Sequence, residues 1–235
     1  MRSHAKRALL RALLLSTAIA GGTSLAHAQT TQLDTLVINS GGTPGSGSGK
    51  AEVRTSTGSK LAVAVTRVPQ SVSVVSRDQL DKTPNVKADE VLRYTAGVNT
   101  QTYGTDADTD WFYVRGFQAD QSGMFLDNMP LYQTGFGTFV VDPYLLEQVD
   151  VLKGPASVLY GGASVGGIVN YTGKRPRDER FLETETGVNS FGNAFVGIDG
   201  GDVIADGDLA YRITGKLSGG GWQTDKARDL RGVVQ

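Results

Sequence analysis

Cysteine is absent from the 235 residues and histidine nearly so, with His4 and His27 the only two. A chain without thiols forms no disulfide and no thiolate metal site. Residues 1 to 28 open on Arg2, Lys6, Arg7 and Arg11, run through an apolar stretch from Ala8 to Ala20, and close on Ala26-His27-Ala28. That is the layout of a secretory signal peptide with a small-residue cleavage site, too short for a spanning helix. Cleavage after Ala28 leaves a mature chain with neither histidine nor cysteine. Serine and cysteine triads and histidine-ligated zinc are thereby excluded, and no cofactor or metal site is expected.

Long apolar runs are missing as well. Past the signal no run approaches the roughly 18 residues of a transmembrane helix, so entry into a bilayer would have to use β-structure. Basic charge is in deficit: the mature chain carries 19 basic against 24 acidic side chains, a net charge of −5. Nucleic-acid binders present a basic face, so no nucleic-acid partner is expected.

What is present divides into three stretches. Residues 29 to 60 are rich in Gly, Ser and Thr, with one apolar interruption at Leu33 through Ile38. From Asn39 to Lys60 there is too little apolar surface to offset ordering entropy, which predicts a flexible tether of roughly 25 Å reach. Folding is expected from Leu61. Val68 to Val75 alternates as a strand, and Ser76 with Gln79 forms a capping box for a helix ending before Pro84. A second helix is expected from about Val86 to Tyr94, with Asn85 as N-cap and Ala88, Val91 and Leu92 buried. Trp111–Val114 and Met124–Leu126 read as strands, and Asp142-Pro143 as the start of a short helix reaching about Gln148. Short strands and helices mixed over residues 61 to 176 predict one α+β domain.

After Pro176 the pattern becomes strictly two-residue. Leu182, Thr184, Thr186 and Val188 share one face, as do Ala194, Val196 and Ile198, and then Leu209, Tyr211, Ile213 and Leu217; polar or small residues fill the other. Dyad-periodic segments of this length suit the wall of a transmembrane barrel, although an ordinary half-buried antiparallel sheet has the same pattern. The few strands of residues 177 to 235 cannot close a barrel, so a truncated wall is expected.

Two chemical-looking patterns fail on their residues. Gly45 to Lys50 resembles a phosphate loop but has Pro44 where glycine is required and Ala51 where a hydroxyl is required. Asp106-Ala107-Asp108-Thr109-Asp110 begins like a calcium loop, yet Trp111 replaces its glycine and Phe117 its last glutamate.

The stretch from Val149 to Asn170 is the most distinctive. It reads as a strand, a tight turn, a helical turn opened by Pro155 at its first position, a Gly161 stop, and a return strand. Together with Arg115-Gly116-Phe117, Val68 to Val75 and Val141 to Glu147, it closely resembles the plug domain of TonB-dependent outer-membrane receptors, nearest the ferric-hydroxamate, ferrichrome-type group. The resemblance implies an α+β plug, a mixed β-sheet with short helices, followed by the first antiparallel strands of an incomplete transmembrane barrel of roughly 22 strands.

It also implies roles. Asp34, Thr35, Leu36, Val37 and Ile38 look like a Ton box, a strip able to add as a strand to the sheet edge of TonB, the energy-coupling partner. Arginines of the family's plug face barrel glutamates; Arg115 matches one of these positions and Lys153 occupies the other. Ligand-contact positions correspond to Tyr103, Asp120, Gln121 and Phe136, with Tyr132 nearby, and Tyr103 stands where ferrichrome receptors present an arginine. The implied activity is import of a ferric siderophore across the outer membrane, with no bond made or broken. The alternative is a soluble periplasmic plug-like module that binds without transporting. An exported hydrolase using Asp127 and Asp142 has no motif behind it.

Overall fold

The computed structural model describes residues 53–235 apart from 84–85, 134, 136–138, 140 and 205–207. The signal segment, the Asp34 to Ile38 strip, the Gly/Ser stretch and Phe136 therefore lie outside the described residues. In chain order the strands are β1 (Arg54–Thr55), β2 (Val63–Ala64), β3 (Ser71–Ser76), β4 (Val98–Thr100), β5 (Phe112–Val114), β6 (Phe117–Gln118), β7 (Met124–Leu126), β8 (Met129–Pro130), β9 (Leu146–Lys153), β10 (Gly167–Gly173), β11 (Phe181–Val188), β12 (Ala194–Ile204), β13 (Leu209–Gly221) and β14 (Arg228–Val234). Three short helices accompany them: α1 (Arg77–Lys82), α2 (Ala88–Val91) and α3 (Ser157–Tyr160).

A five-stranded sheet in the order β3-β9-β10-β7-β8 carries the core. β9 is antiparallel to both of its neighbours, and β10 runs parallel to β7. Because side chains alternate across a strand, this sheet has two unlike faces. Val149, Val151, Val169 and Tyr171 point to one, where they pack with Leu80, Val91, Leu92, Phe112, Val114 and Met124. Leu152 and Ile168 point to the other, beside Phe125, Ala156 and Tyr160. On that second face the cross-strand partners Asp150 and Asn170 are fully buried polar residues. Gly167 lets β10 start against β9, because a Cβ there would lie 2.3 Å from the Leu152 carbonyl oxygen.

Several expected elements are shorter or displaced. β3 begins at Ser71, because Val65–Arg67 forms a 3-10 turn before it. The Ser76 N–H does donate to Gln79 Oε1, at 3.1 Å, as the capping box requires. The second helix is only α2 and its N-cap is Lys87, since Leu92 and Arg93 donate to carbonyls three residues back and tighten the chain out of α geometry. Ala88, Val91 and Leu92 are buried as expected. After Asp142 the helix is a single 3-10 turn, Pro143–Leu145, and Leu146 already pairs with β10. Arg77 holds this exit by donating to the carbonyls of Pro143 and Leu146. Pro155 precedes the N-cap Ala156 of α3 rather than filling its first position, while Gly161 ends the helix with φ of 64°.

β11 to β14 form a four-stranded antiparallel meander. Leu182, Val188, Val196, Ile198, Leu209, Ile213 and Leu217 are exposed along one face, whereas Asp199, Thr214 and Ser218 are buried on the opposite face. The distribution is inverted relative to a water-soluble sheet: apolar residues face out, and polar ones face the five-stranded domain. Among the described residues no helix is long and apolar enough to cross a membrane.

Candidate functional site

The turn Arg115-Gly116 joins β5 and β6, which pair through Val114 and Phe117. Both turn residues have positive φ, 52° and 81°, the geometry of a two-residue type I′ hairpin. Glycine suits the second position, while Arg115 is a non-glycine residue held in left-handed conformation, its N–H donating to the Gly97 carbonyl at 2.8 Å. Its guanidinium lies over the Gly154 backbone, with Nη1 3.3 Å from where a Cβ at Gly154 would be. Lys153 is its neighbour and donates from Nζ to Ser73 Oγ at 2.8 Å. Burial, then the Arg115 charge, pulls the Lys153 ammonium below its ordinary pKa. Two cations are thus brought together, and among the described residues neither has a salt-bridged carboxylate.

On the β5–β6 hairpin, Trp111 and Tyr113 share a face by two-residue spacing. Tyr103 stands edge-on to Trp111, ring centroids 5.2 Å apart, and its hydroxyl is 3.0 Å from that of Tyr113. Tyr103 is 69% exposed, so the cluster is open to solvent. Gln118, the cross-strand partner of Tyr113, donates to Asp120 Oδ2 at 3.1 Å. Asp120 itself is buried, its other carboxylate oxygen has no partner, and burial raises its pKa. It lies beneath the surface rather than on it. Gln121 and Tyr132 are exposed, Tyr132 in the segment after β8. The structure therefore joins Tyr103 to Trp111 and Tyr113, two residues that sequence reasoning left out although their i, i+2 spacing was visible.

The contacts that join the five-stranded domain to the meander are other residues again. Asp199 of β12 receives Nε and Nη2 of Arg212 at 2.8 and 2.7 Å, Lys174 Nζ at 2.7 Å and Thr214 Oγ1 at 3.0 Å. Lys174 directly follows β10, so this cluster ties the domain to the wall. Asp142 accepts Lys216 Nζ from β13 on both oxygens, at 3.0 and 3.1 Å, and also caps the Tyr144 N–H at 2.9 Å. The Tyr144 ring packs against the wall at Gly197 of β12, which leaves room for it: a Cβ there would be 2.6 Å from the ring. Asp142 and Asp127 are thus engaged structurally, Asp127 accepting from the Gly173 N–H.

The acidic loop resembling a calcium site is also spoken for. Lys87 Nζ donates to the carbonyls of Asp106 and Thr109 and lies 3.5 Å from Asp110 and 3.7 Å from Asp89. Burial and the Asp110 charge push the Asp89 carboxyl up to about 7, with Lys87 opposing. Among the described residues no group of His, Cys, Asp or Glu is arranged to hold a metal ion.

The family model of the TonB-dependent receptor plug domain matches residues 64–168. The chain is 32% identical over 213 residues to the ferrichrome outer membrane transporter and phage receptor of Escherichia coli, a match that covers 87% of this chain and 28% of that protein. It is 33% identical over 215 residues to the ferrioxamine B receptor of Salmonella typhimurium, covering 88% of this chain and again 28% of the relative. Its fold superposes on the ferripyoverdine receptor of the Pseudomonas aeruginosa outer membrane with a TM-score of 0.64 at 26% identity, over 72% of this chain and 22% of that one. The chain spans less than a third of the length of these relatives. The mixed sheet with few short helices and the family match over the same residues together identify residues 64–168 as a plug domain of the TonB-dependent receptor family.

Proposed function

We propose that this chain is the N-terminal part of an outer-membrane receptor that imports a ferric siderophore when TonB pulls on the Asp34 to Ile38 strip. The observation that carries the reading is the outward apolar face of β11 to β14 with its inward polar face locked to the plug through Asp199 and Asp142. A soluble periplasmic module would have to leave Leu182, Val196, Ile198, Ile213 and Leu217 in water, which argues against that alternative. The relatives named for ferrichrome and ferrioxamine B support a ferric chelate as ligand.

In this reading residues 1–28 direct export, the segment after them carries the coupling strip and lead, residues 53–176 form the plug and 177–235 begin the wall. Tyr103, Gln121, Tyr132 and Phe136 meet the organic shell of the chelate, Tyr103 backed by Trp111 and Tyr113. Asp120 sets the polarity behind them. Arg115 and Lys153 form the paired cation that wall carboxylates would neutralise. Asp34 to Ile38 adds as a strand to TonB, and backbone hydrogen bonds carry the pull.

The test is uptake of a ferric hydroxamate by cells whose only such receptor is the complete gene product. Leu36→Pro removes a strand donor and is expected to abolish uptake with surface binding retained. Absence of both binding and uptake by the unaltered receptor, across ferrichrome-type and ferrioxamine-type chelates, would overturn the reading.

A further inference from the structure

Residues 53 to 60, expected to be tether, are part of the folded domain, and hydrogen bonding rather than apolar burial holds them there. Residues 53 to 64 fold back as the β1–β2 hairpin, in the register Arg54 with Ala64 and Thr55 with Val63. This two-stranded unit is separate from the five-stranded sheet, to which its side chains fasten it. Thr55 and Thr57 both donate their hydroxyls to Asp150 Oδ2, the Thr57 bond being 2.7 Å. Asn170 donates to Thr57 Oγ1 at 3.0 Å. Tyr160 spans Thr57 and Asn128, at 2.9 Å from the Thr57 carbonyl and 2.6 Å from Asn128 Oδ1. Asn128 in turn donates to Ser56 Oγ at 3.0 Å, and Lys60 Nζ rests 3.4 Å from the centre of the Tyr160 ring.

Little apolar surface contributes. Ala64 is buried, but Val53 and Leu61 are exposed. Such a fastening is brittle, because hydrogen bonds act over short distances and each contributes only about 1 kcal/mol net once water can replace the partner. Burial raises the Asp150 carboxyl, with Thr55, Thr57 and Gln148 opposing. Opening therefore hydrates a buried acid and makes the open state easier to sustain. The hairpin is the first described structure after the N-terminal lead, so tension on the lead meets it before any strand of the core. Asp150 and Asn170 sit opposite each other on β9 and β10, so release uncovers the two central strands.

We infer that Thr55, Thr57 and Asp150 are positioning residues of a release clasp, through which a pull on the lead is passed to the β9–β10 pair while the apolar core stays shut. The inference rests on the uptake reading above. It assigns where the pull first acts, which that reading leaves open.

Two measurements on the complete receptor in detergent and in cells test it. Replacing Thr55 and Thr57 by valine keeps their shape and removes both hydroxyls. Hydrogen exchange of amides in residues 54 to 64 is expected to accelerate about tenfold or more, while amides of 149 to 152 keep their protection. Unchanged exchange, or loss of protection by both segments together, would overturn the clasp. In a complete receptor freed of any native cysteine, Ser56→Cys with Asn128→Cys is bridged by a cleavable dithiol-reactive linker, and its yield is read by mass spectrometry. The bridged receptor should bind ferric chelate at the surface and fail to import it until the linker is cleaved. Normal import by the bridged form, with Leu36→Pro still blocking uptake, would sink the clasp and leave the uptake reading standing. Normal import by Leu36→Pro as well would remove the reading on which it rests.

Discussion

Lys216 of β13 grips Asp142 of the plug on both carboxylate oxygens, at 3.0 and 3.1 Å, with both side chains almost wholly buried. The same carboxylate caps the turn that carries Tyr144 onto the wall. One acid thus fixes a backbone turn and a contact between two sheets. Asp142→Ala leaves a buried ammonium without its partner, and such losses cost about 3–5 kcal/mol. Thermal unfolding of the complete receptor is expected to shift down, and trypsin should cut the plug of the variant faster than that of the parent.

Gly197 and Tyr144 make a second, purely steric joint. Adding a methyl group at Gly197 places a Cβ within 3 Å of three Tyr144 atoms, so the ring must leave the wall. Gly197→Ala should cost about 1–3 kcal/mol by overpacking. Combining it with Tyr144→Ala should cost less than the sum of the two single changes, since the clash then has no ring to meet. Additive penalties in a double-mutant cycle would show that the two residues do not touch.

How much of this was visible beforehand follows from the range of the forces involved. The alternation of Leu182 to Leu217 is local, and the strands lie where the pattern put them. The Ser76–Gln79 capping box is likewise decided within four residues. Asp142-Pro143 was read correctly as a turn opening, but its continuation as a helix failed because β9 captures Leu146, a long-range pairing that no window of residues reveals. Asn39 to Lys60 was read as unfastened because its apolar content is low; Asp150, almost a hundred residues away, orders part of it. The seam residues Lys174, Asp199, Arg212 and Lys216 looked like ordinary polar alternation, and only the docked plug distinguishes them. Trp111 and Tyr113 could have been found from their spacing.

Arg115 sits in left-handed conformation at φ of 52°, a placement that costs an L-residue about 1–2 kcal/mol relative to glycine. Arg115→Gly is therefore expected to raise the unfolding temperature of the plug while lowering chelate uptake, because the charge is lost as the strain is relieved. Reduced stability in this variant would mean that the arginine contributes packing which its exposure does not suggest.

Asp89 predicts a pH dependence with a definite sign. Its folded value of about 7 lies above the ordinary carboxyl value, so the folded state holds a proton that the unfolded chain has released. The resulting stability is fully present below about pH 4 and is lost as the pH climbs through 7. Asp89→Asn removes this term, and its unfolding temperature should fall less than that of the parent between pH 5 and 8. Parallel pH profiles for the two proteins would refute the assignment.

Lipid exposure of the wall strands bears most directly on the membrane reading. In a complete receptor freed of any native cysteine and reconstituted in vesicles, single cysteines at Ile198 and Leu217, and at the exposed Glu183 and Glu185 on the opposite face, can each carry one fluorophore. A nitroxide-labelled lipid should quench the first pair and spare the second. Equal quenching of both pairs by aqueous iodide, with none from the lipid, would contradict a barrel wall and leave a water-soluble sheet in its place.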